Sequence, residues 1–149
     1  MALCVCNISY AQLGVKSDSK GDNTIAQVMD AFTLSKYSPN ETYILSVDCT
    51  ANKFGLNKPS ELKYIFINLG NGKDNAIKSV TLLLKLCKEN TIEGTTITDH
   101  EGQTLKVSSL IFPNNPSIRI LKIETDVFLQ SCMMTEDALQ MLLSKLNNE

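Results

Sequence analysis

Strand-like segments come in runs along this chain instead of alternating with helices. That single feature most narrows what it can fold into. Between the helix-patterned stretches NGKDNAIKSVTLLLKLCKEN and MTEDALQMLLSKLNN lie three or four β-like segments with no helical periodicity. A parallel βαβ sheet needs a crossover helix after each strand, so this order argues against one. It favours the α+β class, with strands meandering antiparallel and helices gathered on one face. The expected architecture is one antiparallel meander sheet of about five strands with two or three helices packed on it.

Reading along the chain, DNTIAQVMDAFTLSKY predicts a first helix. Asp22, Asn23 or Thr24 can cap it, Ile25, Val28, Met29 and Phe32 form an apolar stripe, and Pro39 ends it. TYILSVDCT and LKYIFINLG read as strands. The second is so evenly apolar that it suits a central strand covered on both faces. In the helix that follows, Ile77, Val80, Leu83, Leu84 and Cys87 make the buried face, widened by Leu82 and Leu86. GTTITDHEGQTLKVSSLIF predicts a hairpin turning at DHEG, with Gly102 at the positive-φ position. PNNP is a second tight turn, SIRILKIE a strand and DVFLQSC a further candidate. The last helix is capped by Thr135, and Ala138, Met141, Leu142 and Leu146 face inward. No internal repeat, low-complexity tract or interior domain boundary is visible. A chain of 149 residues fits one domain.

Composition removes several function classes. The chain is 43% hydrophobic and 20% charged, ordinary for a globular domain. Its formal net charge is −2 and its pI about 5.4, so the basic footprint of a nucleic-acid binder is missing. No apolar run approaches the ~20 residues of a membrane-spanning helix.

Catalytic motifs are equally scarce. NLGNGKDN follows a strand and opens a helix, as a phosphate-binding loop does. Asp74, however, occupies the place where a Walker loop needs Ser or Thr, and its charge would repel phosphate. The stretch reads as a glycine turn with a helix cap. His100, the single histidine, sits in a hairpin turn between Asp99 and Glu101, a solvated place that suggests no role. One histidine makes a zinc centre improbable. The carboxylate pair Glu136/Asp137 suits the positive end of a helix. The pair Glu41/Asp48 has nothing to single it out. GxSxG, HExxH and CxxC are absent.

The opening stretch MALCVCNISYAQLG carries the one clue to location. Ala2 to Cys6 are apolar. Ser9-Tyr10-Ala11 has small residues at the two positions that signal peptidase inspects, with Gln12 as the first mature residue. This segment resembles the end of the export leaders of small proteins of Gram-negative bacteria. Met1 stands almost against the cut with no Lys or Arg before it, so the sequence reads as beginning inside a longer leader. An ordinary first strand of a cytosolic protein is the alternative. The organisation expected is a leader tail over 1–11, a flexible arm over 12–22 and one α+β domain over 23–149. Export would leave Cys49, Cys87 and Cys132, which allow at most one disulfide. All three lie in apolar surroundings, so buried free thiols are expected and a disulfide scaffold is excluded.

The functional expectation is a periplasmic or secreted, non-enzymatic domain that binds a protein or envelope component, as a monomer or weak dimer, without cofactor or metal. Lys53, Phe54, Lys58 and Tyr64 are the one place where basic and aromatic residues gather, and they form the expected binding surface. The alternative is a small-molecule or lipid carrier with a pocket between the sheet and the Leu82–Leu86 stretch. A hydrolase using an acid pair comes third. The segment near Ser117–Glu124 is a candidate edge strand for self-pairing.

Overall fold

The computed structural model describes residues 24–49, 64–89, 94–125 and 130–149. The segments expected as a leader tail and an arm, and Lys53, Phe54 and Lys58, lie outside them. Ten elements follow in order: β1 (Thr24–Val28), β2 (Phe32–Tyr37), β3 (Thr42–Asp48), β4 (Tyr64–Asn71), α1 (Lys73–Lys88), β5 (Thr95–Thr98), β6 (Thr104–Phe112), β7 (Asn115–Thr125), β8 (Gln130–Thr135) and α2 (Glu136–Asn147). The protein is α+β, as expected, but the strands form two four-stranded sheets, β1-β2-β3-β4 and β5-β6-β7-β8. Every neighbouring pair is antiparallel. Among the described residues the order ββββα therefore occurs twice, a structural repeat that the sequence does not display.

The expected first helix is the source of the difference. Residues 24–37 form the β1–β2 hairpin instead. Met29 and Asp30 both adopt positive φ, 53° and 57°, which reverses the chain. Ala31 N–H donates to the Val28 carbonyl across the turn. Ile25, Val28, Met29 and Phe32 do fit a helical stripe. Ala26, Val28, Phe32 and Leu34 fit strand alternation equally well, and these four are the ones buried. Pairing of Phe32, Thr33 and Leu34 with Val47, Ser46 and Leu45 decides between the two patterns.

Each sheet has one apolar face. In the first, Leu34, Tyr43, Leu45, Val47, Ile65, Ile67 and Leu69 are buried, and in the second Leu105, Val107, Leu121, Ile123, Cys132 and Met134. Both faces join a single core with Ala76, Val80, Leu83, Leu86 and Cys87 of α1 and Ala138, Leu139, Leu142 and Leu146 of α2. The helices pack on each other and reach both sheets. α1 touches β4, β6 and β7, and α2 touches β1, β7 and β8. Side chains of the second sheet hold the C-terminal end of α1. Ser109 Oγ donates to the Cys87 carbonyl and the Arg119 guanidinium to that of Lys88. They satisfy carbonyls that a helix end leaves without partners.

Two helix positions differ from expectation. Leu82 and Met141 are each 44% exposed, and Leu139 takes the inward place. Solitary exposed apolar residues of this kind are ordinary. β4 is an outer strand of its sheet, not a central one. β7 is an inner strand, paired with β6 and β8 over Ile120–Thr125. Its segment beyond β8 carries Pro116, and Asn115 Oδ1 accepts from the Ser117 N–H at 3.2 Å. Both devices blunt the segment against strand addition, so the self-pairing expected near Ser117–Glu124 has no open edge over Ile120–Glu124.

The sheets also meet directly, where β3 approaches β8. There Cys49 and Cys132, 83 residues apart in sequence, form a disulfide with their Cα atoms 4.9 Å apart. Free thiols were expected at both positions. Cys87 alone keeps its thiol among the described residues, and it is buried as expected. The error came from treating apolar surroundings as a reason to stay reduced. Cys49, the residue after β3, continues that strand's inward parity, and with Cys132 on β8 it brings the two sulfurs together across the core.

Thr135 closes β8 and caps α2, accepting from Ala138 N–H at 3.2 Å while its hydroxyl contacts Met29 Sδ at 3.8 Å. Thr135→Ala should cost about 1 kcal/mol in urea unfolding, and Thr135→Ser should recover most of it.

Candidate functional site

Polar groups converge where the β5–β6 turn meets β4 and α1. The junction begins with an irregularity in β4. Tyr43 pairs with Gly70 and Ile44 with Asn68, so Leu69 bulges out of register. The Leu69 carbonyl accepts the Ser79 hydroxyl of α1 at 2.9 Å. The outer edge of Asn68 is covered by the turn: its N–H donates to Asp99 Oδ2 at 3.0 Å, and its carbonyl accepts the His100 N–H at 3.2 Å. Asp99 Oδ1 also accepts the N–H groups of Glu101 and Gln103, each at 2.9 Å. A single carboxylate thus organises the turn and docks it on the neighbouring sheet.

His100 has a neighbour after all. Its Nε2 lies 3.3 Å from Ser79 Oγ. Its ring lies over Gly70, where a Cβ would come within 3.0 Å of Cε1 and Nε2 and 2.9 Å of Asn75 Cβ. Ser79 has one proton and directs it at Leu69, so in this contact Nε2 must be the donor. The arrangement is the reverse of a nucleophilic serine, whose proton goes to the imidazole. Ser79 and His100 form a packing contact between hairpin and helix.

The phosphate-loop resemblance resolves as the glycine turn expected. Gly72 is the N-cap of α1, with φ 83°, and it makes no side-chain cap bond. Its N–H donates to the Glu41 carbonyl. Gly70, at φ 104°, is required by both its backbone and the imidazole above it. Gly70→Ala should lower stability by about 1–3 kcal/mol in urea unfolding. Gly70→Ala/His100→Ala should show less than the sum of the single losses, because removing the ring frees part of the space.

A second cluster lies at the end of the first sheet. Lys36 Nζ is 3.1 Å from Glu149 Oε1 and 3.2 Å from Glu41 Oε1. Tyr43 OH donates to Glu149 Oε2 at 2.7 Å, and Lys36 Nζ lies 5.6 Å from the Tyr43 ring centroid. Burial opposes ionisation of Glu149, but hydrogen bonds from Tyr43 and Lys36 outweigh it and hold the carboxyl below its usual range. Hydrogen bonds to Glu149 and Glu41 raise Lys36. Burial, then the bond to Glu149, raises Tyr43. A lowered carboxylate stabilises the fold above its unfolded pKa, and that stability fades as pH falls through the folded value. The raised Lys and Tyr contribute fully below roughly pH 10 and lose their effect at higher pH. Melting temperature should therefore decline on acidification below about pH 4.3, and Glu149→Gln should flatten that acid limb.

Of the expected binding residues, the described part contains Tyr64. It opens β4 opposite Asp48, half-buried, with its ring stacked on Phe66 at 6.2 Å between centroids. The acid pairs do not assemble a hydrolytic site. Glu136 is engaged by Lys88 at 3.6 Å and Gln140 at 3.0 Å. Glu41 and Asp48 flank opposite ends of β3, roughly 20 Å apart at strand rise. Along the Leu82–Leu86 stretch, Leu82 faces solvent while Leu83 and Leu86 belong to the core. Sequence reading noticed Gly70 and His100 separately. Asp99 was read only as part of the turn beside His100, and that turn's meeting with Asn68 and Ser79 carried no signal, because a bulge and a turn bring them together.

The chain matches no known protein family, curated protein or solved structure. No described helix is long and apolar enough to cross a membrane, and no described group of His, Cys, Asp and Glu could hold a metal ion.

Proposed function

We propose that this chain is an exported, non-enzymatic binding domain, acting on a protein or cell-envelope component in the periplasm or outside the cell. The Cys49–Cys132 disulfide carries the reading. Structural disulfides form and persist in oxidising compartments and are rare where thiols are kept reduced. Ser9-Tyr10-Ala11 supports the same location from the other end of the argument.

Binding is favoured over catalysis by the state of the polar groups. At the junction, the Asp99 carboxylate is occupied by three backbone N–H groups, and the Ser79 proton by a carbonyl. In the second cluster, the Glu149 carboxylate is taken up by the Lys36 ammonium and the Tyr43 hydroxyl. Groups consumed in this way hold elements together. The proposed contact residues are Lys53, Phe54 and Lys58, in the segment that joins β3 to β4, with Tyr64 at its end.

The test is the N-terminal residue and compartment of the protein made in its native host from the full upstream reading frame. A mature chain starting at Gln12, recovered outside the cytoplasm, is expected. A cytosolic chain that keeps Met1 or Ala2 would overturn the export reading.

A further inference from the structure

Each sheet is built from consecutive strands, so each can assemble from near neighbours in sequence. What joins the sheets is different in kind. Among the described residues the cross-sheet ties include the shared apolar core with its helix pair, the Asp99–Asn68 and His100–Asn68 hydrogen bonds, the Thr135–Met29 contact and one covalent bond. The covalent bond sits where β3 and β8 meet, and both its cysteines are sealed from water, at 1% and 0% exposure.

We infer that oxidation of Cys49 and Cys132 is a redox latch that closes the two-sheet body: the reduced chain opens readily at the β3–β8 contact, and the oxidised chain stays shut. This rests on the export reading and deepens it. A chain held in a reducing compartment would remain easy to open, and would be locked after export. The reaction balances with a disulfide of low molecular mass, such as oxidised glutathione, or with the disulfide of a thiol oxidant protein. Each protein thiol gives up one proton and one electron, one protein S–S bond forms, and the oxidant's S–S bond is reduced to two thiols.

The third thiol does not compete. Cys87 sits on α1, wholly buried, its hosting helix end fixed by Ser109 and Arg119. Burial pushes the thiol up to about 11, with the Glu136 charge adding to it. Thiolate is the attacking species in disulfide exchange, so Cys87 stays out of the reaction in the closed body. Its seal also makes it a reporter of opening.

The test uses the full chain and follows Cys87 alkylation by N-ethylmaleimide, resolved by peptide mass spectrometry. Cys49→Ala/Cys132→Val keeps the contact apolar but removes the latch. Alkylation of Cys87 should be faster in this variant than in the oxidised wild type, on the order of a hundredfold. Amide exchange should accelerate most in β3 and β8. Wild-type chain treated with dithiothreitol and returned to oxidised glutathione should regain the slow rate, which tests the latch without a substitution. Equal Cys87 rates and equal β3 and β8 protection in the latched and unlatched chains would overturn the inference. These readouts use purified protein. Loss of the latch and loss of the export reading therefore register in separate experiments.

Discussion

Two sheets can each hide an apolar face only if something apolar lies against both, and here the α1–α2 pair does so. Val80, Leu83 and Cys87 on one helix and Ala138, Leu142 and Leu146 on the other belong to the same core as both sheets. Burying a side chain such as Leu142 contributes about 1.5–3 kcal/mol. A neutral hydrogen bond contributes about 0.5–1.5 kcal/mol net. The helix pair therefore supplies most of the cohesion between sheets, and the polar junctions set how the parts are aligned. Leu69 shows the division within one residue: its side chain is in the core, while its carbonyl, displaced by the bulge, takes the Ser79 proton.

The disulfide belongs to a third category. In the chain-entropy picture, a crosslink closing a loop of 83 residues removes about 4–5 kcal/mol of freedom from the unfolded chain. Domains are stable by about 5–15 kcal/mol in total. A single bond at the β3–β8 contact can therefore decide whether the body stays closed, although it adds little to the core it crosses. The same reasoning bears on the proposed compartment. A chain that depends on this bond is suited to surroundings where the bond persists.

How much of this was legible in the sequence follows from the range of the forces involved. α1, α2, β3, β4 and the DHEG hairpin were readable because their periodicity and caps are local: Thr135 ahead of Glu136, the dense apolar run after Tyr64, Gly102 at the turn. The β1–β2 hairpin was not. Its apolar residues satisfy both the helical and the strand period, and pairing with β3 decides between them. The positive φ of Met29 and Asp30 also gave no warning, since neither is glycine. Missing that hairpin removes two of the eight described strands and, with the β8 segment read only as a candidate, leaves about five, which read as one sheet and not two.

The junction at His100 was legible only in pieces. Gly70 stood out as a glycine after a strand and His100 as a lone histidine, yet they are 30 positions apart in the sequence. What joins them is the bulge at Leu69 and the grip of Asp99 on Asn68, neither of which leaves a periodic trace. The lesson applies to the cysteines as well. The parity of β3, carried one residue past its end to Cys49, and that of β8 at Cys132 put both on inward faces, and their pairing required knowing that two inward faces meet. Apolar surroundings then protect a disulfide as readily as they protect a thiol, so burial alone could not have settled the oxidation state. Only the topology, two contiguous meanders closed over one helix pair, brings β3 to β8 and makes the crosslink possible.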